Sequence, residues 1–446
     1  MKHLALIEVI GLFNTFDHKI TLSDEPYATI ISGPNGSGKT QTLKLVKSVF
    51  DFDFAYLASA PYQELRLTFQ NGQKLEVIRR TPKKREASIL AFRGTSRDGR
   101  EHSPIHISSD EIIEHSQTST TSTMSISPTW ISPADAMDTH YITDLAPPNF
   151  TASWTPAFEE QLPPERKYPI PKNSWLRTML NTEAVMIDTK RLHTRPPGSP
   201  RHLQTRRHKH RSILDMHLAR IDAQVAQARE ASLAISQERD QSFPMRILSD
   251  KPGQSYRRPA SMERLQRMYN EVHALGAELH SNGLSALPEL MEFPDRDLTP
   301  FERGILTQFV QDWRKKFEPL LPVNDRLQAL RAILKGKLRF KTVQYDSTRG
   351  LEFTSTINGE QIPVASLSSG EQHLVVLFTA LLFSATPGSI VLIDEPEISM
   401  HAAWQHAFLD DISRVAKIQD LQVILATHSA AIVKGHWELV QEIGVK

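Results

Sequence analysis

The stretch "ISGPNGSGKT" (Ile31–Thr40) decides how the rest of the chain is read. Within it, Gly33, Pro34, Asn35, Gly36, Ser37, Gly38, Lys39 and Thr40 fit the spacing G-x-x-x-x-G-K-[ST]. The motif lies between a predicted strand, "YATIIS" (Tyr27–Ser32), and a predicted helix, "KTQTLKLVKSVF" (Lys39–Phe50), the context that gives it meaning. Glycines let successive backbone N–H groups turn inward on one phosphate, and the helix N-terminus adds its partial positive charge. Lys39 is placed to neutralise the β- and γ-phosphates of a nucleoside triphosphate, and the Thr40 hydroxyl to ligate Mg²⁺.

Three later segments extend this reading. "SIVLIDEPE" (Ser389–Glu397) is an apolar strand ending in acids. Asp394 suits the Mg²⁺ shell, and Glu395 is placed to orient or deprotonate an attacking water. "LQVILATHSA" (Leu421–Ala430) is a second buried strand, and His428 at its carboxyl end can reach a γ-phosphate and sense its loss. "SLSSGEQ" (Ser366–Gln372) precedes an apolar helix (His373–Phe383) and forms a second anion site, offering Ser368, Ser369 and Gly370. One ATP already wrapped by the first loop leaves little for the second to hold. The economical reading gives it to the ATP of another subunit.

Composition narrows the class. Lys and Arg number 52 against 51 Asp and Glu, a net charge of +1, so the whole molecule is not a basic nucleic-acid coat. The absence of cysteine excludes disulfides, zinc–thiolate sites and thiol nucleophiles, and fits a reducing cytoplasm. "MKHLALIEVIGLF" is interrupted by Glu8 and lacks a small-residue cleavage site, so it reads as a strand and not as a signal peptide. The longest apolar run, Leu374–Phe383, falls far short of the ~20 residues that cross a bilayer, so no membrane is expected.

The order of segments predicts an α/β head. Residues 1–95 form an N-terminal lobe with strands "LALIEVI" and "HKITL" and a hairpin about Asn71-Gly72, a strong short-range turn signal. Residues 96–182 read as an extended, partly disordered insertion, because 13 of the 27 residues from Ser103 to Thr129 are Ser or Thr and prolines cluster over 147–171. Residues 183–210 bring a return strand and the basic run Arg201–Arg211, which is either a solvated segment or a contact for nucleic acid or an acidic partner. Residues 211–335 carry two apolar seams, Leu214–Ile235 and Leu265–Leu279. Joined by a turn over "SFPMRILSDKPGQ", they predict an antiparallel helical hairpin whose first helix spans ~35 Å. Residues 336–446 form the C-terminal lobe.

The order of phosphate loop, "LSSGEQ", "LIDEPE" and "ATHS" resembles the ABC-class ATPases, whose signature loop closes on the γ-phosphate of a partner's ATP. Here more than 300 residues separate the two loops and carry helical material, which resembles the soluble SMC/RecF/OLD branch. "SQERDQSFPMRIL" (Ser236–Leu248) and "DEPEISMHAAWQHAFLDDI" further resemble the ATPases of bacterial anti-phage defence modules, of PARIS type and their Septu-type relatives. The resemblance covers about residues 1–80 and 183–446. It implies an ABC-ATPase head with a mixed sheet and helices, assembled from the N- and C-terminal lobes with an inserted helical arm. It also implies ATP and Mg²⁺ as ligands and a homodimer around two ATP molecules, open to higher oligomers. Ser369 and Gly370 then act in trans, Glu395 and His428 are catalytic, and an effector protein, a nuclease, is the partner. Ser399–His401 takes the place of the dimer-contact loop, with Met400 where leucine is usual. The glutamine expected near "DTKRL" (Asp188–Leu192) is not found, and Lys190 stands at its place. Two other functions fit the same motifs: a RecF-like clamp on duplex DNA, and an ATP-locked scaffold with negligible turnover.

Overall fold

The computed structural model describes residues 3–23, 28–80, 88–108, 112, 170–171, 173–188, 213–249, 260–285 and 292–444. The basic run 201–211, Lys190 and most of the Ser/Thr/Pro-rich segment lie outside the described residues.

The strands fall into three sheets. The first is antiparallel with six strands: β1 (Leu4–Leu12), β2 (Phe16–Thr21), β4 (Glu64–Phe69), β5 (Lys74–Arg79), β6 (Ser88–Thr95) and β7 (Ile105–Ser108), in the order β2-β1-β4-β5-β6-β7. Alternating burial along β4 marks one face in the core and one face outward. The second sheet is wholly parallel, in the order β14-β3-β13-β12-β8, from β3 (Ala28–Ser32), β8 (Ala184–Asp188), β12 (Ile390–Asp394), β13 (Gln422–Ala426) and β14 (Val440–Glu442). The third is small: β9 (Lys341–Asp346), β10 (Gly350–Ser355) and β11 (Gln361–Ile362).

The parallel sheet joins the two ends of the chain. β3 from the N-terminal lobe pairs with β13 and β14 from the C-terminal lobe. The Gln422 amide adds a second tie, donating to the Leu4 carbonyl at 2.6 Å and accepting from its N–H at 2.8 Å. Every residue of β12 and β13 is buried, as expected of strands covered on both faces. Successive residues alternate between two cores. Ile390, Leu392 and Ile424 face the core shared with the antiparallel sheet and helix α1 (Lys39–Phe50). Val391, Ile393 and Val423 face a larger core shared with the remaining helices.

Those helices depart from the expected hairpin. Helix α2 covers Phe54–Ser59 and α3 covers Trp175–Met179. Helix α4 runs from Ile213 to Ser249, 37 residues or ~55 Å, straight through Pro244. The expected turn therefore does not begin at Ser242. A proline deprives the ladder of one N–H and crowds the preceding turn. Here Arg246 holds the far side: its guanidinium donates to both oxygens of buried Asp312 at 2.8 and 2.7 Å and to the Arg239 carbonyl at 2.8 Å. Helices α5 (Met262–Ser281) and α4 both pack on α6 (Pro300–Phe317), so the two seams meet a third helix. The seam residues Leu214, Ile221, Val225 and Ala228 are buried in the core that also holds the C-terminal lobe. The inserted helices thus form a bundle laid on the head.

The head's edge also differs from expectation. β7 and α3 belong to the stretch read as an insertion, yet β7 pairs with β6, and the Trp175 indole stacks on His102 and donates to the Ser103 carbonyl at 3.0 Å. Helix α7 (Leu321–Lys335) ends beside a buried ion pair, Lys337–Asp411, that pins it to α9 (Ala402–Gln419). Replacing Asp411 with alanine is expected to cost about 3–5 kcal/mol, because it leaves the Lys337 ammonium buried without its counter-charge. Urea denaturation would check this.

Candidate functional site

The phosphate loop leaves β3 and turns directly into α1. Gly36 and Gly38 adopt φ of +83° and +92°, and a Cβ on Gly38 would stand 2.4 Å from Leu12 Cδ2. A Cβ on Gly33 would stand 2.1 Å from the carbonyl oxygen of Ile443, the residue that follows β14, so this backbone closes against the loop. No side chain caps α1, which leaves its first N–H groups directed at the cradle. His18 holds the loop from β2, its ring Nε2 donating to the Ser37 carbonyl at 2.6 Å. Burial pushes the His18 ring below the ordinary histidine value, opposed by that hydrogen bond and by Asp17.

Lys39 donates to the carbonyls of Gly33 at 2.9 Å and Pro34 at 3.1 Å, so the ammonium already lies across the loop. Burial lowers its pKa, and Glu395, Asp394 and Glu397 oppose this by holding the charge. Thr40 Oγ1 donates to Asp394 at 3.0 and 2.9 Å, bringing together two groups predicted on residues 354 positions apart. The pairing follows from sheet order, since β3 and β12 flank β13 and both end on the same edge. Binding sites of parallel sheets form at such carboxyl edges.

Glu395 takes a left-handed conformation, φ 45° and ψ 57°, uncommon for a residue with a Cβ and of the kind that clusters at functional sites. Its N–H donates to the Ala426 carbonyl at 2.9 Å, anchoring it to β13. The His428 Nε2 stands 4.0 Å from Glu395 Oε1. The sequence-predicted Gly33–Thr40, Asp394, Glu395 and His428 are thus gathered at one sheet edge.

The signature segment is used differently. Ser368 caps helix α8 (Ser369–Thr379), accepting from the Glu371 N–H at 3.3 Å, while Glu371 accepts from the Ser368 N–H at 2.8 Å. Lys341 from β9 binds both Glu371 oxygens at 2.6 and 2.7 Å. The Gln372 amide donates to the Leu367 carbonyl at 3.0 Å. Glu371 and Gln372 therefore hold the turn, and Ser368 and Ser369 are left exposed. Past Met400, which is buried, the His401 ring caps α9.

These residues fit a nucleoside triphosphate with Mg²⁺. The cradle excludes any side chain at Gly33 and Gly38, and Ser37 Oγ is buried with no hydrogen-bond partner among the described residues. No group of three or more His, Asp or Glu that could hold a metal occurs among the described residues. Mg²⁺ in such sites takes one or two protein oxygens and completes its shell with phosphate and water.

A parallel sheet with the phosphate loop at its carboxyl edge is a P-loop nucleotide-binding fold. Residues 219–434 match the family described as "AAA domain, putative AbiEii toxin, Type IV TA system". Among curated proteins, it is similar to "Retron Vc95 probable ATPase" of Vibrio cholerae serotype O1 biovar El Tor, 29% identical over 102 residues, covering 20% of this chain. The match spans only 20% of that relative's length. Among solved structures, the Smc head domain of Pyrococcus furiosus bound to the C-terminal domain of ScpA is 13% identical, with a TM-score of 0.38 over 100% of this chain and 94% of that one. The SMC head domain of Thermotoga maritima is 11% identical, with a TM-score of 0.33 over 99% and 94%. The fold assignment rests on the strand order and the phosphate loop themselves. No helix among the described residues is long and apolar enough to cross a membrane.

Two residues of the site are silent in the sequence. His18 braces the phosphate loop, and Glu397 accepts from Thr427 Oγ1 and the His428 N–H, both at 2.8 Å. Glu397 stands inside "LIDEPE", but only the neighbouring strand gives it a partner.

Proposed function

We propose that the chain binds and hydrolyses ATP with Mg²⁺, closes as a homodimer around two ATP molecules, and so gates an effector nuclease in bacterial anti-phage defence. The observation that carries this reading is the convergence at one sheet edge. Thr40 donates to Asp394 and Glu395 faces His428, while Ser369 of the signature turn stands exposed and apart.

The Lys39 ammonium exchanges its two carbonyl partners for β- and γ-phosphate oxygens, a short movement for a side chain already lying across the loop. Thr40 and Asp394 would hold Mg²⁺, which would supply neutralisation of the charge on the phosphates. Glu395 orients the attacking water and takes its proton, and His428 sits within reach of both Glu395 and the terminal phosphate. The partner subunit brings its signature hydroxyl and N–H groups to the same phosphate. Those contacts exist only with ATP bound, so they favour the closed dimer, and hydrolysis removes them. A cysteine-free chain of this kind suits the cytoplasm.

Wild-type protein is expected to release phosphate from ATP with Mg²⁺ present and to stop when EDTA removes the metal. Phosphate release that persisted in EDTA would overturn the assigned metal role. For the partner, a nuclease encoded beside this gene should co-purify with the ATP-bound form and separate from the ADP form. Equal retention by both forms would overturn nucleotide gating.

A further inference from the structure

We infer that Glu397 is a positioning residue for hydrolysis, its carboxylate tying the loop that carries His428 to the turn that carries Glu395. This rests on the ATPase reading and names the group that sets its geometry.

Glu395 and Glu397 come after β12, and Thr427 and His428 after β13, two parallel strands in register with Asp394 opposite Ala426. Beyond that last pair the strand ladder ends, and the two loops are joined by other bonds. One is the Glu395 N–H to the Ala426 carbonyl. The other two end on a single atom, Glu397 Oε1, which accepts from Thr427 Oγ1 and from the His428 N–H. Thr427 Oγ1 in turn accepts from the Ser429 N–H at 2.9 Å, and the Ser429 hydroxyl donates to Gln405 of α9 at 2.7 Å. The backbone of His428 is therefore fixed from the acidic turn, and with it the 4.0 Å approach of its ring to Glu395.

The second oxygen argues that this is more than a turn stabiliser. Glu397 Oε2 is buried with no hydrogen-bond partner among the described residues. A carboxylate oxygen kept dry without a donor carries a desolvation cost that a neutral amide or hydroxyl at this position would largely avoid. The Glu397 charge also acts on the Lys39 ammonium, after those of Glu395 and Asp394. Glu397 thus holds the switch loop through one oxygen and lies in the field of the phosphate-binding lysine. Charge-assisted bonds to a backbone N–H are the strong kind, suited to fixing a catalytic geometry.

The test compares Glu397→Ala, Glu397→Gln and Thr427→Ala in the full chain. Alanine removes the acceptor, whereas the glutamine amide oxygen can still take both bonds. Glu397→Ala should lower kcat by about 100-fold, the scale of a ~1 Å misplacement in an active site. Its KM for ATP and its ATP-dependent dimerisation should stay as in wild type. Glu397→Gln should restore most of the lost turnover. Thr427→Ala, which removes one donor, should lower kcat without moving KM. The inference is overturned if Glu397→Ala turns over like wild type, if glutamine is as poor as alanine, or if KM alone changes. Should the alanine variant fail to fold, Thr427→Ala decides, and an unchanged kcat there overturns the inference. A wild-type protein without ATPase activity would instead refute the reading on which it rests.

Discussion

The Glu395→Gln protein is expected to bind ATP, accumulate as a closed dimer and hydrolyse almost nothing. Glutamine keeps the size of the side chain and leaves the Glu395 N–H bond to Ala426 in place, so the left-handed turn survives. It loses the capacity to take a proton from water. General-base catalysis contributes about 10²–10⁴-fold, and the single-turnover rate of phosphate release should fall by that range. Lys39→Ala should fail earlier. Without the ammonium that spans Gly33 and Pro34, the phosphates lose their fixed counter-charge and the dimer has nothing to close on. A fluorescent ATP analogue would separate the two variants: binding kept in Glu395→Gln, lost in Lys39→Ala. Light scattering with ATP would then find a dimer in the first and a monomer in the second. Wild-type hydrolysis by Glu395→Gln would remove Glu395 from the role of base.

Much of this site is legible in the sequence alone, and particular residues explain why. The phosphate loop is a local object, set by glycines within eight positions, and its reading needs only the flanking strand and helix. β12 and β13 announce themselves as apolar runs ending in polar groups, the pattern of strands covered on both faces. Their adjacency is another matter. Nothing in the order of segments places β13 between β3 and β12, yet that placement makes Thr40 meet Asp394. Glu397 and His18 escape for the same reason, since each works through bonds to a segment distant in sequence. The departure at Pro244 has a different cause. A proline in a helical pattern is a fair stop signal, but Arg246 bound to Asp312 on another helix outweighs it. The seams of α4 and α5 likewise show that a stripe is buried, while leaving open whether the covering surface is the other helix or α6.

Mixing two inactive proteins should restore activity, and this tests whether the site is divided between chains. Lys39→Ala has a sound signature turn and a dead phosphate loop. Ser369→Arg has the converse, with a bulky cation where the exposed hydroxyl should approach the partner's phosphate. Each alone should hold no working site. In a symmetric dimer the two sites are related by a twofold axis, so a mixed dimer holds one site with both defects and one with neither. Each mixed dimer carries one sound site of two, so activity should return to at most about half of wild type. A lone chain that used both its own loops would show no recovery at any mixing ratio. The geometry favours recovery. Ser368, Glu371 and Gln372 hold the signature turn through bonds within that turn and to Lys341, none of which reaches the phosphate loop. Ser369 is therefore presented outward on the first turn of α8, a helix N-terminus whose partial positive charge has no anion in its own subunit among the described contacts except the Glu371 carboxylate. A phosphate supplied by a second copy would complete that helix end, and the mixed dimer would close on the ATP that only one of its chains can cradle.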